Sequence, residues 1–190
     1  NLLLKFFLIL LLVHNITNSE ANLIIQGNGI QRLLGVNFGF RPSEVLVNGV
    51  KDEFCSKTCN LEGDKNNITL RFNNEITSCS SMFYDAKNIT EIDLSNFDCS
   101  KVESLYLMFN GCYNLEKIEF GNINTSSVTT MRVMFQSCYK LKIIDLSKFD
   151  TSNVKDMSYM FSSCSSLEKI DFGNINTSSL ENMENIFQSC

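Results

Sequence analysis

Five phenylalanines, Phe83, Phe109, Phe135, Phe161 and Phe187, stand 26 residues apart, and Cys112, Cys138, Cys164 and Cys190 keep the same interval. A period held over four turns without an insertion restricts the chain to architectures in which one short unit stacks on the next, because no single unit can bury its own apolar face. Ile92, Ile118, Ile144 and Ile170 stand in the same register, as do Val102, Val128, Val154 and Leu180. Alternate copies are more alike: FGNINTSS recurs at 120–127 and 172–179, and LSNFDCS at 94–100 matches LSKFDTS at 146–152. A 52-residue pair was therefore the unit last duplicated.

Each repeat divides into two periodicities. In YNLEKIEF, Leu115, Ile118 and Phe120 have the spacing of a short strand whose inward residues alternate with Lys117 and Glu119. After the loop, Val128, Met131, Met134, Phe135 and Cys138 fall on one face of a helix. Ser100, Ser126, Ser152 and Ser178 stand at the N-cap positions, and Glu103 and Glu181 complete capping boxes. The expected fold is α/β, a solenoid of 26-residue strand-helix units with a parallel sheet along one side, with an all-β solenoid as the alternative.

Residues 22–60 fit no repeat and read as a β-rich N-terminal cap, with an Asn48-Gly49 hairpin signal. Residues 61–82 read as a degenerate first repeat, followed by about four repeats from 83 that stop mid-repeat at Cys190, as a truncated array would. Residues 1–21 have the grammar of a signal peptide, with LLLKFFLILLLV at 2–13 and cleavage expected after Ser19 or Ala21. The apolar run from Phe6 to Val13 falls short of the roughly 20 residues that span a bilayer, so no integral membrane segment is expected and the protein is predicted to be secreted or displayed at the cell surface.

The net charge of −5, without any Lys/Arg cluster, argues against a nucleic-acid partner. The only histidine, His14, lies in the segment expected to be removed. That closes the histidine-activated nucleophiles and imidazole zinc sites, and the pattern holds no phosphate loop and no carboxylate pair with a pocket of its own. No catalytic, cofactor-binding or metal residue is predicted, and a non-enzymatic role is expected.

The repeat written as MFxxCxxLxxIDLSxFDTSxVxxMxxMF is carried by MF at 82–83, MFNGC at 108–112, MFQSC at 134–138 and MFSSC at 160–164, together with IDLSNFD at 92–98 and IIDLSKFD at 143–150. In these motifs residues 82–190 resemble the BspA-like leucine-rich-repeat surface proteins of bacteria and protists. The resemblance implies an exported protein that binds host or matrix macromolecules. Departures are Ala86 in the cysteine column, Cys99 where other copies have Thr125, Thr151 and Thr177, and Ile186 in place of Met.

Several columns are candidate sites. Asp93, Glu119, Asp145 and Asp171, with Lys117 and Lys169 among them, line the outer side of the strands and form the candidate binding face for a protein or glycan ligand. A wet sheet face is the plainer reading of the acids, and calcium a further one. Cys112, Cys138, Cys164 and Cys190 are expected to be a ladder of buried core thiols, with inter-repeat disulfides as the alternative. Cys55 and Cys59 are candidates for a disulfide, to each other or with Cys79, although Cys79 aligns with core positions. Asp98, Asn124, Asp150 and Asn176 read as turn residues. Sequons at Asn67, Asn88, Asn124 and Asn176 are candidate N-glycosylation sites. Macromolecular binding or adhesion is the leading functional expectation, and the recognition ectodomain of a longer receptor or surface enzyme the alternative.

Overall fold

The alternation in SEANLIIQ and KNNITLRF sends every second residue inward, and each segment forms a strand: β1 (Ser19–Gln26) and β6 (Lys65–Phe72) pair antiparallel from Ser19 opposite Phe72 to Gln26 opposite Lys65. The structure is a computed structural model that describes residues 19–190. Residues 1–18 of the expected signal peptide lie outside the described residues, while Ser19, Glu20 and Ala21 belong to β1. The remaining strands are β2 (Gly29–Arg32), β3 (Glu44–Val47), β4 (Val50–Lys51), β5 (Thr58–Leu61), β7 (Ile89–Asp93), β8 (Lys117–Glu119), β9 (Ile143–Asp145) and β10 (Lys169–Asp171). They form a six-stranded sheet in the order β4-β3-β6-β1-β7-β8 and two two-stranded sheets, β10-β9 and β2-β5. Asn48 and Gly49 both take positive φ, 52° and 82°, and turn the chain between β3 and β4.

The fold expected from periodicity is corrected here. Among the described residues there is no α-helix, so the strand-helix solenoid does not form. The all-β solenoid is not the outcome either, because the strands do not run as one continuous parallel sheet: β7 and β8 pair in parallel within the mixed six-stranded sheet, and β9 and β10 pair in a sheet of their own. Strand pairing thus follows the 52-residue unit read in the sequence.

The segments expected to be helical are chains of turns, and their hydrogen bonds explain why. Met131, Val133, Phe135 and Ser137 donate their N–H groups to the carbonyls of Asp156, Ser158, Met160 and Ser162 in the next repeat, while Met134, Gln136 and Cys138 donate to the residue three positions back. A helix would satisfy all of these donors internally and leave no backbone bond between layers. Two left-handed positions per repeat stop helix propagation. One column is Ser81, Leu107, Val133, Tyr159 and Asn185, with φ between 53° and 60°; the other is Asp85, Gly111, Ser137, Ser163 and Ser189, with φ between 58° and 75°. Each non-glycine member costs on the order of 1–2 kcal/mol, which the packing around it must offset. A three-residue turn step also brings positions i, i+3 and i+7 inward, which is why the apolar pattern imitated a helix.

The serines expected at N-caps instead have their N–H groups held by the side chain two residues earlier: Ser100 by Asp98 at 2.9 Å, Ser126 by Asn124 at 3.1 Å, Ser152 by Asp150 at 2.9 Å and Ser178 by Asn176 at 2.9 Å. These are Asx turns, the alternative that such residues offer to a helical backbone.

The core is continuous from cap to repeats. Phe83, Phe109, Phe135, Phe161 and Phe187 stack in order, with centroid separations of 5.6, 5.2, 5.4 and 5.6 Å. Near-parallel stacking follows from the fixed repeat spacing, which sets every ring above its predecessor. Gly121 and Gly173, at φ 59° and 53°, let their loops approach the preceding layer; a Cβ there would lie 2.7 Å from the Ser95 Cα and 2.6 Å from the Ser147 Cα.

Candidate binding face

Since side chains alternate along a strand, the residues turned away from the core gather on one face of the six-stranded sheet. On β1 these are Glu20, Asn22 and Ile24, on β6 Asn67, Thr69 and Arg71, on β7 Glu91 and Asp93, and on β8 Lys117 and Glu119. The strand registers place them side by side: Asn22 lies opposite Thr69 on one side and Asp93 on the other, and Asp93 lies beside Glu119. A cleft of about 330 Å³ opens at this seam between cap and repeats, lined by Asn22, Ile24, Asn67, Thr69, Glu91, Asp93, Lys117 and Glu119.

A polar network organises its cap side. Arg71 donates Nε to Glu20 at 3.0 Å and Nη1 to Glu44 at 2.6 Å, the Asn22 side-chain amide donates to Glu20 at 3.2 Å, and the Thr69 hydroxyl donates to the Asn22 side-chain Oδ1 at 2.7 Å. These carboxylates hold the guanidinium proton more tightly, Glu20 first and Glu44 second. On the repeat side Lys117 pairs with Glu119 at 3.1 Å, and hydrogen bonding followed by the charge of Glu119 raises the Lys117 pKa. All of these pairs are solvated, so they orient side chains more than they stabilise the fold.

The structure gathers three of the six predicted face residues, Asp93, Lys117 and Glu119, in the cleft, and puts Asp145, Lys169 and Asp171 on the separate β9-β10 sheet, where Asp145 lies beside Asp171. Three of the acids also hold turns. Asp93, Asp145 and Asp171 accept the N–H groups of Ser95, Ser147 and Gly173 at 2.8, 2.8 and 2.9 Å. Hydrogen bonds from the Ser147 hydroxyl and N–H lower the Asp145 pKa. Sequence reasoning passed over Glu20, Asn22, Thr69, Arg71 and Glu91, whose only signal is their alternation with buried residues in β1, β6 and β7.

Each cysteine of the ladder donates its thiol to a phenylalanine carbonyl one layer back: Cys112 to Phe83 at 3.1 Å, Cys138 to Phe109 at 3.2 Å, Cys164 to Phe135 at 3.0 Å and Cys190 to Phe161 at 2.9 Å. Cys112, Cys138 and Cys164 are buried free thiols. Cys190, the last residue, is exposed. Burial raises the thiol pKa of Cys112 and Cys138 and pushes Cys164 up to about 12. Ala86 now has a reason. Its acceptor would lie 29 residues earlier, in the cap, where no repeat precedes it.

Cys55 and Cys59 are bonded to each other. Asp52 stands within 4.8 Å of both sulfurs, but its carboxylate accepts the N–H groups of Phe54 and Cys55 at 2.8 and 2.9 Å and builds a turn. Sulfurs joined in a disulfide supply no thiolate to a metal. Of the sequons, Asn67 is exposed on β6 in the cleft wall, Asn88 is exposed and donates to Gln31 at 2.7 Å, and Asn124 and Asn176 are exposed turn formers. No helix among the described residues is long and apolar enough to cross a membrane.

Stacked 26-residue layers, a shared aromatic column and an antiparallel cap define a repeat protein whose layers are built from turns and short strands. The chain belongs to the family described as "Mycoplasma protein of unknown function, DUF285", whose model matches residues 72–190. That match begins at the last residue of β6 and leaves β1 to β5 outside it. No curated protein and no solved structure matches the chain.

Proposed function

We propose that this is an exported, non-catalytic binding protein, secreted or held at the cell surface, that docks a protein or glycan on the outer face of β6, β1, β7 and β8. One observation carries the reading: the open cleft of about 330 Å³ at the junction of cap and repeats, lined by amide, hydroxyl, carboxylate and ammonium groups together with apolar side chains. Such hydrogen-bonding groups around an apolar floor of Leu23, Ile24, Ile68 and Ile92 suit recognition of a macromolecule that offers both polar and apolar groups. Export is supported by the apolar stretch at 2–13 and by the disulfide between Cys55 and Cys59. The repeat motifs resemble those of BspA-like leucine-rich-repeat surface proteins, and adhesion to host or matrix macromolecules is the finer function that this likeness favours.

The test is a binding panel of extracellular matrix proteins and complex glycans, read with the whole chain at low and high salt. For a ligand found this way, the double variant Glu91→Gln, Lys117→Ala is expected to weaken binding at least about tenfold, the loss of two polar contacts, while leaving the melting temperature in place. Affinity indifferent to both the double variant and salt would overturn the assignment of this face.

A further inference from the structure

In the first layer two cysteines stand where the other layers have none. Cys79 occupies the column of Leu105, Met131 and Met157, and Cys99 the column of Thr125 and Thr151; both cysteines are buried, and neither is bonded in the structure. Two layers on, at the same offset of 52 residues, the equivalent side chains Met131 and Thr151 line one small apolar cavity, so these two columns border the same space in the core. The backbone frames both places alike. Glu103 donates to the Thr77 carbonyl at 3.0 Å, as Lys155 does to Thr129 at 2.8 Å, and Val102 closes a turn on Cys99 at 2.9 Å, as Val154 does on Thr151 at 3.0 Å.

The chemistry of the substitution agrees. Thr125 and Thr151 donate their hydroxyls to the next layer, to Asp150 at 3.0 Å and to Asn176 at 2.8 Å. Cys99 gives up that strong donor for a buried free thiol. Hydrogen bonding with the Cys99 thiol, and then burial, hold the Cys79 thiol well above its usual range.

We infer that Cys79 and Cys99 are a built cross-linking site, closed to a second disulfide when the chain folds under oxidising conditions. The oxidant is a small-molecule or protein disulfide, of which oxidised glutathione is the simplest. One cysteine thiolate attacks it, forming a mixed disulfide and releasing one glutathione thiolate. The second cysteine thiolate then attacks the protein sulfur of that mixed disulfide and expels the other glutathione. Two cysteines are oxidised, one glutathione disulfide is reduced, and the two protons end on the released glutathiones. The exchange belongs to folding, before the core closes, because the folded site excludes both thiolate and oxidant. The bond would clamp the first layer beside the end of β1, whose Glu20 donates its N–H to Asn96 at 3.1 Å and whose Ser19 hydroxyl accepts the Asp98 N–H at 3.2 Å.

The test refolds the whole chain with oxidised and reduced glutathione, blocks remaining thiols in denaturant, and maps the peptides without reductant. A peptide pair joined through Cys79 and Cys99 is expected, beside the Cys55–Cys59 bond. In the oxidised protein Cys99→Thr, which restores the residue of the other layers, should lower the melting temperature by roughly 6–12 °C, and the same variant should change the reduced protein far less. Both thiols freely alkylated after oxidative refolding, or an equal shift in both redox states, would overturn the proposal. Refolding in vitro makes the result independent of the export and binding assigned above.

Discussion

The cap and the repeats solve one problem, the pairing of short strands over a common core, by different means. In the cap, β1 is held antiparallel between β6 and β7, and register is set by residue alternation, by the Asn48-Gly49 turn and by Arg71 between Glu20 and Glu44. In the repeats the strands shrink to three residues, and most of the coupling passes to turn amides, to a stacked phenylalanine column and to thiols that reach one layer back. The difference teaches where each region is vulnerable. A repeat layer packs against a similar layer on each side, so damage to one column is felt in two interfaces; a cap residue has partners of its own and fails locally.

The largest effect should come from the aromatic column. Phe135→Ala removes a fully buried ring stacked on Phe109 and Phe161 and is expected to cost about 3–5 kcal/mol in urea unfolding, whereas Phe54→Ala, at a cap position 98% exposed, should stay within about 0.5 kcal/mol. Equal losses would erase the contrast between the regions.

Next come the glycines. Gly173→Ala forces a Cβ to within 2.6 Å of Ser147 at a positive φ and should cost roughly 2–4 kcal/mol by thermal denaturation. Gly49→Ala shares the positive φ but meets nothing within 4 Å, so about 1 kcal/mol is expected in the cap hairpin. A smaller penalty at Gly173 than at Gly49 would mean that close approach of loop to layer is not what selects glycine there.

Cys138→Ala should lose about 1–2 kcal/mol, the S–H bond to the Phe109 carbonyl and part of the packing, with the urea midpoint as readout. Cys138→Ser keeps the donor and is expected to recover part of that loss. An alanine variant as stable as the parent would reduce the ladder to simple filling.

The smallest effect is acid sensitivity of the turns. Hydrogen bonds from Ser147 and Ser152, side chain and backbone, depress the folded-state pKa of Asp145 and Asp150. Their stabilisation is therefore complete above the unfolded carboxylate value near pH 3.9 and is lost as pH falls through the lower folded values. Asp150→Asn keeps the Asx acceptor without the charge, as Asn124 and Asn176 do, and should flatten the stability profile below about pH 4. A profile unchanged in this variant would exclude Asp150 as a contributor.

Much of the repeat region was legible because repetition averages out local ambiguity. The strand positions followed from Leu115, Ile118 and Phe120, and the turn role of Asp98 and its equivalents from residue type alone. The helix was misread because turns that close on the residue three back share the apolar spacing of a helix. The left-handed backbone at Leu107, Val133 and Tyr159 leaves no mark in bulky residues, and only Gly111 in the second column hints at it. The cleft was half legible. Asp93, Lys117 and Glu119 stood out by period, but Asn22, Thr69 and Glu91 come from segments distant in the chain that only sheet pairing brings together.

The sequence by itself determined the length of the layer and the column that each residue joins, because a fixed period leaves one register in which all apolar columns coincide. The tertiary structure alone decided that backbone donors point to the next layer rather than along a helix, that β1 enters between β6 and β7, and that Cys79 and Cys99 are both buried. Those choices rest on competition among hydrogen-bond partners far apart in the chain, and local residue preference carries no information about which partner wins.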